Sequence, residues 1–210
     1  MTSAVRATGG PVGRPVRIFV FARHAESTAN VDGVVSSDPA RPVTLTEQGR
    51  AQARALGAQI SNLPVERAVS SRLLRAQETV RIALSGRPVP VVTEPGFDEI
   101  QTGDLDGKPM QAYWEWLAQH AVGDPLPHGE SRHDALYRYA GALRRLLAGP
   151  GQVTLVVTHE YALRHIAEAA APDSWLWPDA GFANAVPYLF DDDAVRRAAA
   201  SLAAPLAPAV

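Results

Sequence analysis

Two runs of apolar residues constrain the fold of this chain more than any other feature of its sequence. The first run, Arg17 to Phe21, reads RIFVF, and the second, residues 153 to 158, reads VTLVVT. Neither run alternates between apolar and polar residues, which is typical of strands that a parallel sheet buries on both faces. The sequence therefore predicts a sheet with helices packed against each of its faces.

Shorter segments complete the predicted architecture. Three further strands are expected at residues 67 to 70, 89 to 93 and 185 to 190. The last contains Pro187, which cannot donate a hydrogen bond to a neighbouring strand and therefore belongs at an edge. Helices are predicted after Thr46, after Ser71 and from Ser131. The residues expected on the buried face of the first of these helices are Ala51, Ala55, Leu56 and Ile60. Alternating strands and helices indicate an α/β fold, a three-layer α/β/α sandwich with a mostly parallel sheet.

The length and composition suit one domain. The chain has 210 residues, of which 46% are hydrophobic, enough to bury a sizeable core. Residues 1–16 are rich in Gly, Pro and Arg and lack the apolar core of a secretion signal, so we expect a flexible tail. Residues 17–203 are expected to form a single domain, and residues 204–210 a flexible C-terminus. The segment at about 94–130 shows no clear period and is expected to rise above the sheet and shape a pocket.

Charge and residue usage argue against several functions. The net charge is -2 and the pI is near 6.3, so no general electrostatic attraction to nucleic acid or anionic membranes is expected. No stretch approaches the ~18 consecutive apolar residues of a membrane helix. The absence of cysteine excludes disulfides and thiolate metal sites and fits a reducing compartment. We therefore expect a cytoplasmic protein without a nucleic-acid or membrane partner.

Both of the most apolar strands are followed by a histidine. His24 comes after the first strand and directly follows Arg23, and His159 comes directly after the second strand. Arg75 follows the strand that ends at Ser70. Because parallel strands present their carboxyl ends at one edge of a sheet, these side chains are expected to meet there. Guanidinium groups and free backbone N–H groups at helix N-termini bind phosphate oxygens, so the sequence indicates a site for a doubly charged oxyanion.

The segment ARHAESTAN, residues 22 to 30, resembles the signature of the histidine phosphatase superfamily, which has the phosphoglycerate mutase-like fold. Six further matches follow in the family's order: LTEQGRAQA, SSRLLRAQET, FDEIQTGDLDG, HGES, VVTHEYALR and FANAVPYLF. Together the matches span residues 17 to 190. The resemblance implies a histidine-phosphatase-like catalytic domain over residues 17–203, an enzyme of the phosphatase type, and no cofactor.

The resemblance also implies a role for each residue near the strand ends. His24 is expected to be the nucleophile. The residues expected to bind the phosphoryl group or line its pocket are Arg23, Ser27, Asn30, Arg75, His159 and Glu160. A neutral imidazole can attack phosphorus and form a phosphohistidine. Two arginines and a second histidine, expected to be protonated, then supply the stabilisation that another fold would take from magnesium, so no metal is required.

Glu99 stands where the family has its proton donor, four residues before Gly103, and Asp98 is its nearest rival. A carboxyl group that burial keeps protonated can give its proton to the leaving alkoxide and later take one from water. The resemblance therefore implies that Glu99 is a catalytic acid and base.

Three positions depart from the family's pattern. Residue 25 is Ala where the family often has Gly, and Asp106 stands where Glu is common. Residue 160 is Glu where Gly is usual, and its carboxylate is expected to narrow the pocket or to repel highly charged substrates. These departures bear on specificity more than on the type of reaction.

Other conspicuous residues have ordinary interpretations. His128 and His133 lack a regular ligand spacing and are expected to lie in a loop and at a helix start rather than to bind a metal. GDLDGK has too few residues between its glycines for a nucleotide-binding loop, and GESRH is not the nucleophile elbow of a serine hydrolase. Tyr113, Trp114 and Trp116 fit two interpretations equally well: they cover the core, or they line a pocket for the leaving group.

The sequence thus favours a hydrolase of small phosphorylated metabolites that acts through a phosphohistidine. One alternative is a cofactor-dependent mutase of the phosphoglycerate type, which needs additional basic residues around the pocket. Between Glu94 and Gly129 the only Lys or Arg is Lys108, which favours hydrolysis. The other alternative is a non-catalytic phosphate-binding domain, but the nucleophile and the arginines are all present. Dimers are frequent in this family, so a homodimer is among the expected assemblies.

Overall fold

A computed structural model describes residues 16–172 and 181–204 of the chain. The expected N-terminal tail, apart from Val16, and the chain from Pro205 onward lie outside these residues. The predicted division into a tail, one domain and a C-terminal segment therefore stays a prediction. Within the described ranges, no helix is both long enough and apolar enough to cross a lipid bilayer.

Five strands and seven α-helices form the regular structure of the described ranges. The strands are β1 (Ile18–Arg23), β2 (Arg67–Ser70), β3 (Val91–Thr93), β4 (Val153–Thr158) and β5 (Pro187–Asp191). The helices are α1 (Thr28–Asp32), α2 (Glu47–Gln59), α3 (Leu74–Ala83), α4 (Met110–Gln119), α5 (Arg132–Ala148), α6 (Glu160–Ala170) and α7 (Asp192–Ser201).

One sheet joins the five strands in the order β3-β2-β4-β1-β5. β1 pairs with β4 in parallel, β2 pairs in parallel with both β3 and β4, and β5 runs antiparallel to β1. Pro187 begins β5 at one edge of this sheet. The described sheet has no strand beyond β5, so no neighbour there needs a hydrogen bond from the N–H that proline lacks. The mostly parallel sheet and the edge position of the proline-containing strand are both confirmed.

The central strands are covered on both faces, as their continuous apolar sequences predict. All six residues of β4 are buried. In β1, Phe19 and Phe21 pack into a core with α5, α6 and α7, whereas Val20 and Ala22 pack into a second core with α2 and α3. Side chains alternate between the two faces of a strand, so one strand contributes to both layers. The predicted three-layer α/β/α sandwich is confirmed.

Helix α2 begins where the sequence predicts, but it buries a different face. Leu56 and Ile60 are buried as expected, whereas Ala51 and Ala55 are exposed. The buried face passes through Ala53 instead. Alanine gains little free energy from burial, so alanine positions do not decide which way a helix faces.

The segment at 94–130 contains regular structure that the sequence analysis missed. Two 3₁₀ turns, at Pro95–Phe97 and Gly103–Leu105, precede α4. Apolar and aromatic residues cover most of the circumference of α4, so its helical period is hard to see in the sequence. Helix α1 was also missed, because five residues are too few to show a period.

Gly49 allows α2 to approach the loop that follows β1. An added Cβ at Gly49 would lie 1.9 Å from the backbone oxygen of Glu26. That oxygen also accepts a hydrogen bond from the backbone N–H of Thr46, the N-cap of α2, so loop and helix start are joined. A side chain at this position must therefore push the helix away from the loop that carries His24.

We expect Gly49→Ala to lower the free energy of unfolding by about 1–3 kcal/mol, because backbone atoms cannot yield to the new methyl group. Gly141→Ala is the matched control, since Gly141 lies inside α5 and an added Cβ there would meet only the end of the Arg145 side chain at 3.4 Å. This control should leave stability unchanged or raise it by up to about 1 kcal/mol. Urea unfolding followed by circular dichroism measures both, and equal stabilities would contradict the close contact at Gly49.

Candidate active site

The two histidines that follow the central strands lie side by side. Arg23 at the end of β1 is in register with Thr158 at the end of β4, and the backbone N–H of His24 donates to the Thr158 carbonyl at 2.9 Å. The ring centroids of His24 and His159 are 5.1 Å apart. The parallel pairing of β1 and β4 therefore places both imidazoles at one edge of the sheet.

Arg75, the second residue of α3, connects the two rings. Its Nε donates to His24 Nε2 at 3.0 Å and its Nη2 donates to His159 Nδ1 at 3.2 Å. The Oγ and the carbonyl oxygen of Ser36 accept from Nη1 at 3.1 Å and from Nη2 at 2.8 Å. With only 4% of its surface exposed, Arg75 is fixed among these partners. The sequence analysis did not single out Ser36.

The hydrogen bonds define the tautomer of each ring. A guanidinium can only donate, so the nitrogens that face Arg75 must be acceptors. For His24 this leaves the proton on Nδ1, which donates to the Ala25 carbonyl at 2.7 Å, and the lone pair on Nε2. For His159 the lone pair is on Nδ1, and Nε2 donates to Ser71 Oγ at 2.7 Å. His24 therefore presents an unprotonated nitrogen to the site.

Both rings are held neutral by their surroundings. Burial, followed by the charges of Arg75 and Arg23, lowers the pKa of His24 well below its ordinary value. Burial and Arg75 also lower the pKa of His159, with smaller contributions from His24 and Arg23. A neutral His24 suits a nucleophile. The expected protonation of His159 is wrong for this structure, because a buried imidazole beside two guanidiniums disfavours a further positive charge.

Arg23 and Glu160 form an ion pair at the start of α6. Arg23 Nη1 donates to Glu160 Oε2 at 3.1 Å and to the Phe182 carbonyl at 2.9 Å. Glu160 also accepts from Arg164 Nη2 at 3.2 Å and from the backbone N–H of Phe182 at 3.0 Å. Added side-chain atoms at Gly181 would approach this carboxylate, at 3.0 Å from Oε1. The residue that departs from the family's pattern is thus fully engaged with neighbouring groups.

Glu99 and Asp98 are in different surroundings. Glu99 lines the pocket, and burial raises its pKa, although the N–H of Ile100 and the charge of Arg75 act in the opposite direction. Asp98 is buried away from the pocket lining and accepts from the backbone N–H and the Nε of Arg72, at 2.7 and 2.6 Å. Of the two carboxyl groups, only Glu99 lines the pocket. The raised pKa of Glu99 favours its protonated form.

The predicted binding residues Ser27 and Asn30 both line the pocket. The amide oxygen of Asn30 accepts from the backbone N–H and the Oγ of Ser27, both at 3.0 Å, which caps α1. Asn184 was not singled out, yet its Nδ2 donates to the His24 carbonyl at 2.7 Å. Asn184 lies within the matched segment FANAVPYLF, and this match was the signal that could have identified it. Its hydrogen bond holds the loop after β1 in place.

Asp106, another departure from the family's pattern, has a structural position. Its Oδ1 accepts from the backbone N–H groups of Ser37 and Asp38, and its Oδ2 accepts from Arg41 at 2.9 Å. Ser37 Oγ also contacts Thr102 Oγ1 at 2.8 Å. These bonds fix the loop that carries Ser36, and so they act on Arg75 indirectly.

A pocket of about 470 Å³ opens beside His24. His159, a predicted binding residue, is fully buried and does not line it. The polar lining residues of the pocket are Arg23, His24, Ser27, Asn30, Ser36, Arg75, Glu99, Thr102, Glu160 and Arg164. Its apolar and aromatic lining residues include Val34, Val35, Ile100, Met110, Tyr113, Trp114, Leu117 and Tyr161. Helix α4, which the sequence analysis missed, supplies much of this apolar wall.

The aromatic residues of α4 divide between the two roles proposed for them. Tyr113 and Trp114 line the pocket. Trp116 packs against the core and stacks on His120 with ring centroids 4.0 Å apart. The side chain of Tyr113 also belongs to the buried core, so it serves both purposes.

His128 and His133 lie apart from the pocket. His128 is in a loop, where its Nδ1 and Asp104 Oδ2 are 2.9 Å apart, and His133 is the second residue of α5, as predicted. Among the residues that the structure describes, no group of three or more His, Asp or Glu side chains is arranged to hold a metal ion.

An α/β sandwich in which one imidazole and two guanidiniums line a pocket, with a second imidazole bonded to the clamping arginine, is typical of an enzyme class that acts on phosphoryl groups. Comparison with known families agrees, because the model of the histidine phosphatase superfamily (branch 1) matches residues 19–185. The chain belongs to the histidine phosphatase superfamily. The expected family and the expected type of enzyme are therefore confirmed.

Relatives with known names match about two thirds of the chain. An adenosylcobalamin/alpha-ribazole phosphatase of Salmonella typhimurium is 32% identical over 150 residues, which are 67% of this chain and 73% of that protein. A protein of Cronobacter sakazakii named "probable phosphoglycerate mutase" is 30% identical over 149 residues, or 67% of this chain and 68% of its own. The crystal structure of an alpha-ribazole phosphatase from Shigella flexneri has a TM-score of 0.70 and 26% identity, and the alignment covers 82% of this chain and 89% of that one.

The neutral imidazoles make stability depend on pH. An unfolded histidine binds a proton below pH ~6.5. The lowered pKa values of His24 and His159 mean that the folded protein does not, so stability is lost as pH falls through ~6.5 toward those lowered values. Each such group contributes a slope of about 1.4 kcal/mol per pH unit.

We expect His159→Asn, which keeps an acceptor for Arg75 but cannot titrate, to reduce that slope by about 1.4 kcal/mol per pH unit below pH ~6.5. Urea unfolding of both proteins between pH 5 and 7.5 measures the difference. Parallel curves for wild type and variant would show that His159 is protonated in the folded protein.

Proposed function

We propose that this protein hydrolyses phosphomonoesters of small metabolites through a phosphohistidine formed on His24 Nε2. The observation that carries the proposal is the single guanidinium of Arg75, which donates to His24 Nε2 and His159 Nδ1 at the same time. A phosphoryl group that binds in the pocket beside His24 meets this nucleophilic nitrogen and the donors of Arg23 and Arg75. The proposal assigns catalysis to His24, Glu99, His159, Arg23 and Arg75.

In the first step, a phosphoryl oxygen replaces His24 Nε2 as the acceptor of the Arg75 Nε–H, which frees the nitrogen lone pair. The lone pair of His24 Nε2 then attacks phosphorus in line with the ester bond. The N–P bond forms while the P–O bond to the alcohol breaks, and Glu99 gives its proton to the departing oxygen. The equatorial oxygens carry the growing charge and accept hydrogen bonds from Arg23 and Arg75. His159, neutral and bonded to both Ser71 and Arg75, holds the Arg75 guanidinium in position for the phosphoryl group.

In the second step, a water molecule attacks the phosphohistidine from the side that the alcohol has left. Glu99, now ionised, takes a proton from the water while the N–P bond breaks, and inorganic phosphate is released. The electron pair of that bond returns to Nε2, so the enzyme regains its initial state. Ser27 and Asn30 lie where they can add hydrogen bonds to the phosphoryl oxygens.

The proposed chemistry takes its charge stabilisation from side chains. The guanidiniums of Arg23 and Arg75 match the negative charge of the transferring phosphoryl group, which is the task that magnesium performs in other folds. The scheme therefore uses no metal and no cofactor. It predicts catalysis in the presence of a chelator.

Hydrolysis is favoured over transfer of a phosphoryl group between two positions of one substrate. A phosphoglycerate-type mutase must hold a second anionic group. This requires basic residues in addition to Arg23 and Arg75, which form the proposed phosphoryl clamp. In the described part of the pocket, Arg164 is the remaining basic side chain, and it pairs with Glu160 at 3.2 Å. A purely phosphate-binding role is disfavoured because the nucleophile, the clamp and a buried carboxyl group occur together.

The wider setting belongs to the same proposal. The enzyme is expected to act in the cytoplasm on a small phosphorylated substrate, without a nucleic-acid or membrane partner. The expectation of a homodimer stays a prediction, and size-exclusion chromatography with light scattering tests it.

A phosphoenzyme should be trapped when the reaction with ³²P-labelled phenyl phosphate is stopped in denaturant, in the presence of EDTA. The label should be lost in acid and retained in base, because a phosphohistidine has that stability. His24→Ala should abolish labelling, whereas His128→Ala should leave it intact, since His128 is 86% exposed and outside the pocket. Persistent labelling of His24→Ala would assign the nucleophile elsewhere, and loss of labelling with EDTA alone would contradict the metal-free scheme.

Glu99→Gln should lower kcat/KM for an alkyl phosphate by about 10²- to 10⁴-fold, the usual contribution of a general acid. The loss should be much smaller for 4-nitrophenyl phosphate, whose leaving group departs without a proton. Because kcat/KM reports the steps up to the phosphoenzyme, the later role of Glu99 does not affect this comparison. Glu115→Gln, an exposed carboxyl group on α4, is the control. Equal losses for both substrates would exclude Glu99 as the acid.

A further inference from the structure

Glu160 binds Arg23, which belongs to the phosphoryl clamp, and it also lines the pocket. Its two carboxylate oxygens bind Arg23 at 3.1 Å and Arg164 at 3.2 Å, and both oxygens accept from the backbone N–H of Phe182. The side chain is thus fixed on the helix that begins at the clamp. A fixed carboxylate inside a pocket acts on every charged group that enters it.

In the described part of the pocket, the net charge of the lining side chains matches the charge of one phosphate dianion. Three guanidiniums line it, those of Arg23, Arg75 and Arg164, together with the carboxyl groups of Glu99 and Glu160. The two neighbouring imidazoles are neutral, and burial raises the pKa of Glu99, which must hold a proton before it can act as an acid. With Glu99 protonated, as the proposed acid step requires, the excess of positive charge is two units, and a phosphate dianion neutralises it.

Among the residues that the structure describes, the rest of the pocket lining has no charged partner for the alcohol part of a substrate. Val34, Met110, Tyr113, Trp114, Leu117 and Tyr161 form a largely apolar wall. Such a wall binds an uncharged apolar or aromatic group by removing its surface from water. An anionic group placed there would lose hydration without gaining a cation, because Arg164 is already paired with Glu160.

We infer that Glu160 is a specificity-determining residue that restricts this enzyme to phosphomonoesters of uncharged, largely apolar or aromatic alcohols. The inference rests on the proposed phosphatase function and deepens it. Glu160 reduces the positive charge available to a second anionic group, and its own carboxylate repels that group. Bisphosphates and carboxylate-bearing phosphates are therefore poor substrates, whereas a neutral aromatic ester uses both the polar and the apolar lining of the pocket.

The test compares three aryl phosphates of similar shape and different charge: phenyl phosphate, 4-carboxyphenyl phosphate and 4-(aminomethyl)phenyl phosphate. For Glu160→Gln, kcat/KM for the carboxyphenyl ester relative to phenyl phosphate should rise about 10-fold over wild type, the effect expected of one partly screened charge nearby. The same ratio for the aminomethyl ester should fall. Ratios measured on one preparation do not depend on the fraction of active enzyme, so partial misfolding cannot produce this result.

Glu168→Gln is the matched control. Glu168 lies on the same helix, its side chain is 46% exposed, and it does not line the pocket. This variant also removes one negative charge, yet both ratios should stay within about two-fold of wild type because solvent screens the site.

The outcomes separate the inference from the proposed function. If wild type hydrolyses phenyl phosphate but Glu160→Gln leaves both ratios unchanged, or shifts them in the same direction, Glu160 does not select by charge and the inference is overturned. If Glu168→Gln reproduces the shifts, the effect is a general field and the inference also fails. If wild type neither hydrolyses phenyl phosphate nor forms a phosphoenzyme, the proposed function itself is wrong.

Discussion

The parallel pairing of β1 with β4 is the constraint on which the site depends. Because Arg23 and Thr158 are in register, the residues that follow them, His24 and His159, leave the sheet at the same height. The neighbouring strand β2 is paired to β4 in the same direction and leads into the helix that carries Arg75. Apolar cores on both faces hold these strands in place, so a shift of register would disrupt two cores as well as the site.

Arg75 is electrostatically unusual, and this explains how the site is prepared for an anion. Burial lowers its pKa to about 10, so the guanidinium is still charged at neutral pH. Its hydrogen bonds go to two neutral imidazoles and to Ser36, not to a carboxylate. A buried charge without a directly bonded counter-ion is costly, and a phosphate dianion supplies the missing partner. The same arrangement keeps His24 unprotonated and therefore nucleophilic.

The sequence predicted the features that depend on strand order and missed those that depend on packing. The apolar runs and the histidines behind them were sufficient to predict the parallel sheet and the meeting of His24 with His159. The contact between Ser36 and Arg75 was not predictable, because Ser36 lies in a loop whose path is set by Asp106 and Thr102. Tertiary contacts also decided the buried face of α2, since alanine-rich faces differ little in hydrophobicity. The protonation of His159 depends on burial and neighbouring charges, which a sequence does not state.

The structure divides reaction type and selectivity between different parts of the chain. The proposed nucleophile and the arginines proposed to bind the phosphoryl group lie at the ends of β1 and β4 and at the start of α3, where the sheet limits movement. The apolar wall comes mainly from α4 and the loop before it, which contact the sheet less directly. Glu160 belongs to both parts, because it is the first residue of the helix behind His159 and also faces the pocket. On the proposed scheme, a single substitution at Glu160 changes the charge preference of the enzyme while the register of β1 and β4 stays as it is.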